Sequence, residues 1–300
     1  MRAVWSFWSR PFQDHRNNIW CKPLHHLLAW GLSVQAARRH YAETVLITDR
    51  PGKKLLVDQL GLPFAEVSTE LDRLNDADPD WWALGKLIAY SLQDRPFIHI
   101  DNDAFLWKPL PSSLAEAPVL AQCPEQFPRD VNYGEADIDR VFADSGAQLP
   151  VEWEWARSRG EMSYRMENCG ILGGSCPEFL RYYAQTAIHW ILNPDHAPAW
   201  SRLMNKRNYT VMVEQFFLSA CLDYHRHHPG SPYRGVRVKY LFPSWDQAYV
   251  INHAARVGYT HLISGAKSNP SVGRRLEERV RRDDPAYFRR CENLLSQRRS

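Results

Sequence analysis

The sequence lacks several features that would settle its class at once. No stretch reaches the roughly 18 to 20 apolar residues that a membrane-crossing helix needs. Met1-Arg2 leads straight into a strand-like run rather than a secretory leader. There is no Gly-x-x-x-x-Gly-Lys loop, and no Gly-x-Gly-x-x-Gly follows a strand, so P-loop and dinucleotide-binding readings lose support. No two of the six cysteines (Cys21, Cys123, Cys169, Cys176, Cys221 and Cys291) form a Cys-x-x-Cys pair. They are scattered, so the chain reads as a cytoplasmic protein with reduced thiols. Charge of one sign is scarce too: the net charge is +3 over 300 residues. Much of the excess sits in the last thirty residues, where nine Arg face five acids at helical spacing. The body therefore has no clustered basic face, which argues against nucleic acid as its partner.

What is present is ordinary globular material, with 44% hydrophobic and 24% charged residues. Strand-like and helix-like segments alternate. Ala3–Trp8 reads as a strand, broken at Ser9-Arg10-Pro11, and Lys22–His40 as a helix. Thr44–Thr48 is a second strand ending in the turn Asp49-Arg50-Pro51-Gly52, and a short helix runs over Lys53–Leu60. Phe64–Val67 is a weak strand, Trp82–Leu92 a helix and Pro118–Gln122 a strand. Residues 124–165 are charged and poor in apolar runs, which predicts a long functional excursion on the acceptor side. Further on come a glycine-flanked strand at Asn168–Gly174, helices over Pro177–Leu192 and Thr210–Tyr224, strands at Val236–Phe242 and Tyr259–Leu262, and a charged helix over Arg274–Leu295 interrupted near Pro285. Such alternation predicts an α/β domain with a mainly parallel, twisted, Rossmann-like sheet.

The most informative stretch is Phe97-Ile98-His99-Ile100-Asp101-Asn102-Asp103. An apolar strand that ends in two carboxylates needs something positive at its end. In open α/β sheets ligands bind outside the carboxyl ends of the strands. Asp101 and Asp103 fit a Mg²⁺ or Mn²⁺ site shared with a substrate diphosphate. Other Asp-x-Asp pairs, at Asp76-Ala77-Asp78, Asp78-Pro79-Asp80 and Asp137-Ile138-Asp139, have no apolar strand before them and read as solvated loop. By the same strand-end rule Ser6 and Arg10, after the first strand, and Asp49, after the second, are expected at the base and ribose of a nucleotide.

Five motif pieces in order then resemble a family. These are Lys86-Leu87 on a helix, the strand ending in Asp101-Asn102-Asp103, Asn168-Cys169-Gly170, Glu214-Gln215 on a helix, and His261-Leu262-Ile263-Ser264-Gly265-Ala266-Lys267. Together they resemble GT-A fold glycosyltransferases, closest in motif order to the glycogenin- and galactosyltransferase-like group known as family 8. Glu214 stands where that group usually carries Asp, and the His-to-Gly spacing is one residue longer here. The resemblance implies a GT-A-type domain over residues 1–270 with a basic C-terminal helical extension over 271–300. It implies metal ligation by Asp101, Asp103 and His261. It implies donor contacts from Ser6, Arg10, Asp49, Lys86, Asp101, Asn102, Asn168, Gly170 and Gly265. Glu214 and Gln215 are expected beside the transferred sugar, and Lys267 on the leaving diphosphate. The activity implied is metal-dependent transfer of a sugar from a nucleotide-diphosphate donor, such as a UDP-sugar, to an acceptor with retention. Two alternatives stand beside it: a nucleotidyltransferase, and an inactive nucleotide-sugar-binding protein.

Overall fold

The computed structural model describes residues 1–14, 19–129 and 134–297. Residues 130–133 of the expected excursion and 298–300 of the expected tail lie outside the described residues. The strands are β1 (Arg2–Phe7), β2 (Thr44–Thr48), β3 (Glu66–Ser68), β4 (Phe97–Ile100), β5 (Ala104–Leu106), β6 (Val119–Ala121), β7 (Pro124–Pro128), β8 (Ser163–Glu167), β9 (Ile171–Gly174), β10 (Val238–Tyr240) and β11 (Tyr259–His261). Seven of them form one sheet in the order β10-β6-β9-β4-β1-β2-β3. β1, β2 and β3 pair in parallel, as do β10 and β6, while β6 and β9 run antiparallel. The fold is α/β: a mainly parallel sheet flanked by helices, with a C-terminal helical region.

The chain divides into two compact units. The first comprises Met1–Asn75, His99–Pro109 and Val250–Ser300; the second comprises Asp76–Ile98 and Leu110–Tyr249.

In the first unit, β2 is buried at every position, as a parallel strand covered on both faces must be. Helix α1 (Ser9–Asp14) begins where the sequence suggested only a break. Helix α2 (Pro23–Ala37) starts with a proline at its first turn, where the missing N–H costs nothing. It buries Leu27, Leu28, Leu32 and Val34, each worth about 1.5–3 kcal/mol by transfer out of water. The Trp5 indole N–H donates to Ser33 Oγ at 3.0 Å, and Ser33 donates to the Asp101 carbonyl at 3.1 Å. This relay ties β1 and α2 to the turn that follows β4. The C-terminal helices Pro270–Asp283 and Pro285–Gln297 pack on α2, with the break at the expected proline. Tyr287, 1% exposed, lies so close to Gly31 that a Cβ there would be 2.2 Å from its ring.

The last short strand differs from expectation. β11 joins no parallel sheet; it pairs antiparallel with β5, which the sequence reading missed, and sets His261 opposite Ala104. β5 is only three residues long and follows the acidic turn directly, so no periodicity marks it.

In the second unit, residues 124–165 are not the irregular excursion that their composition suggested. They hold β7, helices Glu135–Ser145 and Val151–Ser158, and β8, which pairs with β7. The apolar signal is sparse because few anchors suffice: Ile138, Val141, Phe142 and Trp153 are all fully buried. Gly173 in β9 allows a close crossing, since a Cβ there would meet the Phe97 carbonyl oxygen at 2.0 Å.

Candidate functional site

The first unit gathers the acidic turn and the late loop into one cluster. Side chains two apart in extended backbone share a face, and His99 in β4 meets Asp101 just beyond its end. Ser6 Oγ and His99 Nε2 share a hydrogen bond of 2.9 Å, and His99 Nδ1 lies 3.7 Å from Asp101 Oδ1. His99, 1% exposed, thus bridges Ser6 to Asp101. The sequence reading gave His99 no role, although its two-residue offset from Asp101 was the available signal. Asn102 follows with its Nδ2 buried and lacking a hydrogen-bond partner among the described residues.

Asp103, 4% exposed, is the centre of the cluster. Its Oδ1 lies 3.3 Å from His261 Nε2, and its Oδ2 is ion-paired with Lys267 Nζ. The β5–β11 pairing delivers His261, and the Leu262 amide seals the register by donating to the Asp103 carbonyl at 2.9 Å. Burial alone would raise the Asp103 carboxyl, but the Lys267 ammonium and His261 overturn it and hold the group well below the usual carboxylate range. The loop carrying Lys267 turns at Ser264, whose φ of 45° is the one left-handed non-glycine backbone among the described residues. Strain of this kind gathers at functional loops. Gly265 sits beside it in open space. The Lys267 carbonyl accepts from the Cys21 amide at 3.0 Å, and its ammonium lies 5.8 Å from the Trp20 ring centre.

One oxygen each from Asp101 and Asp103 and one nitrogen from His261 all lie within 4.8 Å of one another. Two carboxylates and an imidazole form a donor set suited to a divalent cation such as Mn²⁺. The orphaned amide of Asn102 beside them adds a hydrogen-bond donor without a protein acceptor. His26, which sequence reading also missed, flanks the cluster. It stacks on Phe12 at 4.4 Å and accepts from the Trp30 indole at 3.2 Å. Burial and the nearby Lys267 charge lower its pKa to about 3.

Two further expected residues of this unit are engaged elsewhere. Arg10 donates to the Asn75 carbonyl. Asp49, 3% exposed, accepts from the Gly52 amide at 2.8 Å and from the Ser9 amide and hydroxyl at 2.9 and 2.7 Å. It caps the short helix Arg50–Lys53. The sequence suggested a turn here, with the helix starting only at Lys53; the structure starts it at Arg50 and makes Asp49 its cap.

The second unit gathers the remaining motif residues into two groups. Lys86 on the helix Leu84–Ser91 pairs with Glu214 at 2.7 Å and donates to the Cys169 carbonyl at 3.2 Å. Glu214 is wholly buried and also accepts from Tyr90 at 3.4 Å. Glu214 and half-buried Gln215 lie in a π-helical turn, Met212–Phe216, that runs into the helix Phe217–His227. Such turns are frequent at functional sites. Asn168 donates to Glu125 at 2.6 Å and to the Tyr249 hydroxyl at 3.4 Å, and its Oδ1 accepts from the Gly170 amide at 3.0 Å.

An α/β sheet with an acidic, metal-competent cluster beyond the carboxyl end of a buried strand defines the class of the molecule. Residues 1–294 match the model of a family of unknown function, DUF6734, and the chain belongs to that family. A search of curated proteins finds no match. Among solved structures the chain is similar to the apo structure of WbbM, a bifunctional glycosyltransferase, at 10% identity and a TM-score of 0.33. That likeness covers 78% of this chain and 50% of the other, so the chain spans about half the length of that protein. No helix among the described residues is long and apolar enough to cross a membrane.

Proposed function

We propose that this protein is a metal-dependent glycosyltransferase that moves a sugar from a nucleotide-diphosphate donor, a UDP-sugar by preference, to an acceptor hydroxyl with retention. The observation that carries the reading is the convergence of Asp101, Asp103, His261 and Lys267 from two distant segments. Residues 1–270 are read as the GT-A-type body and 271–300 as an accessory helical extension.

In this reading Asp101, Asp103 and His261 hold Mn²⁺ or Mg²⁺. When bound, the cation supplies charge neutralisation to the diphosphate and makes it a better leaving group. His99 and Ser33 keep the Asp101 turn in place. Ser6, Asn102 and Gly265 flank the donor, and the Asn102 amide finds its acceptor there. Lys267 is a pre-placed cation for charge that develops on the diphosphate, a large term in group transfer. In the second unit, Lys86, buried against Glu214, acts through that pair by fixing the π-turn. Arg10 and Asp49 keep the structural roles described above, and neither is given a donor contact.

The charges make a specific demand. Asp103 already holds the Lys267 ammonium, so a dication alone competes with Lys267 for that carboxylate. A diphosphate arriving with the dication gives Lys267 a new partner. Metal and nucleotide should therefore bind with positive coupling. The test is thermal unfolding with Mn²⁺, UDP, UDP-sugars, and each nucleotide together with Mn²⁺. A ligand at a hundred times its Kd stabilises by about 2.7 kcal/mol, and the combined shift should exceed the sum of the separate ones. Asp103→Asn and His261→Ala should each abolish the combined shift. Absence of any nucleotide-diphosphate shift, or its survival in Asp103→Asn, refutes the proposal.

A further inference from the structure

The second unit contains a cleft of about 390 Å³ that none of the motif residues line. Its walls come from β7, β8 and the helices Val151–Ser158 and Phe217–His227. Four guanidiniums line it, from Arg129, Arg159, Arg165 and Arg226, against two carboxylates, Glu161 and Asp223. Two of the four are neutralised: Arg159 by Glu161 at 2.7 Å, and Arg165 by Glu167 at 2.9 Å and Asp223 at 3.3 Å. The other two are not. Among the described residues Arg129 donates only to the neutral carbonyls of Ala156 and Arg157, at 3.0 and 3.4 Å, and its Nε is buried without a partner. Arg226 is exposed and makes no ion pair among the described residues. His227 spends Nδ1 on the Asp223 carbonyl at 2.7 Å. Tyr164 and Phe216, packed edge to face at 5.1 Å, add an aromatic wall.

We infer that this cleft binds an anionic monosaccharide, either a uronic acid or a sugar phosphate. The two uncompensated guanidiniums demand an anion, and guanidinium geometry matches carboxylate and phosphate alike. The volume lies in the range of small-ligand sites and accommodates one sugar ring. A nucleic acid strand needs an extended basic track, whereas this cleft is short and carries two acids. The aromatic wall favours a ring over a bare inorganic ion. Phe216 lines the cleft and also ends the π-turn that carries Glu214 and Gln215, so the cleft abuts that segment directly. The site stands or falls independently of glycosyl transfer, because it shares no residue with the acidic cluster.

The test is isothermal titration of the full chain, without metal or nucleotide, against glucuronic acid, glucose 6-phosphate, glucose and inorganic phosphate. One or both anionic sugars should bind saturably, and the tighter of the two identifies the anionic group. Glucose should not bind, and inorganic phosphate should bind at least tenfold more weakly than the better sugar. Arg226→Gln, at an exposed position, and Arg129→Gln should each lower the affinity at least tenfold. The inference is overturned if neither anionic sugar binds at millimolar concentration. It is equally overturned if Arg226→Gln keeps the full affinity, or if inorganic phosphate binds as tightly as the sugars.

Discussion

Removing the Lys86 charge should cost far more than an ordinary lysine substitution. Lys86 is 9% exposed and Glu214 is 0% exposed, with 2.7 Å between their charged atoms. At that separation, an effective dielectric of about 20 gives an attraction of about 6 kcal/mol. Desolvation of both groups takes most of it back, so the intact pair is nearly neutral in net terms. Breaking it is not neutral. Lys86→Met keeps the length of the side chain and strands a carboxylate that has no path to water. The expected loss is about 3–5 kcal/mol, or protonation of Glu214 at comparable cost. Glu214→Met should cost less, because the ammonium keeps the Cys169 carbonyl at 3.2 Å and a route to solvent. The double variant Lys86→Met/Glu214→Met should recover at least half of the Lys86→Met loss, since two well-packed apolar chains replace the pair. Equilibrium urea unfolding of the full chain measures all three, with the slope against denaturant checked for constancy. A Lys86→Met loss under about 1 kcal/mol, or additivity of the two single losses, contradicts a coupled buried pair.

Two further outcomes follow from the first unit. Gly31→Ala places a methyl 2.2 Å from the Tyr287 ring and should cost about 1–3 kcal/mol by overpacking, read as earlier release of the C-terminal helices in limited proteolysis. Tyr287→Leu on the Gly31→Ala background should restore protection, and failure to do so would show that the clash is not the cause. His26 makes stability depend on pH. Its pKa is lowered from 6.5 to about 3, so between those values the unfolded chain binds the proton that the folded chain refuses. The contribution is complete above pH 6.5 and is lost as pH falls towards 3, by about 3 kcal/mol at pH 4. Protonation would also displace the Trp30 indole N–H, which donates to His26 Nε2. Urea midpoints of the wild type against His26→Gln should therefore converge between pH 7 and pH 4; parallel curves would refute the assignment.

Much of the architecture was legible because parallel strands announce themselves. Thr44–Thr48 and Phe97–Ile100 are buried at every position and built around short apolar runs, Val45-Leu46-Ile47 and Phe97-Ile98, which is the pattern the sequence displays. The helix Pro177–Leu192 appears at the predicted bounds, with a proline to start it and a broad apolar stripe. The helices at Glu135–Ser145 and Val151–Ser158 were missed for the opposite reason: each buries only a few residues and its remaining positions are charged. β5 was missed because three residues cannot display a period.

The site divides along the same line between local and distant information. The acidic turn, the late histidine and Lys267 were picked out as residue types in an order, and the structure brings them together. What the order could not convey is the pairing. Lys86 and Glu214 were each assigned to a ligand, yet each is the other's nearest charge, an arrangement that only tertiary packing decides. Asp49 shows the converse. Its carboxylate satisfies orphaned backbone N–H groups, and an uncapped helix start costs about 1 kcal/mol whether or not a ligand ever arrives. A carboxylate at a strand end is therefore evidence for a ligand only when no amide of the chain already claims it. Asp103 meets that condition: its carboxylate lies against the Lys267 ammonium and the His261 imidazole rather than against capping amides.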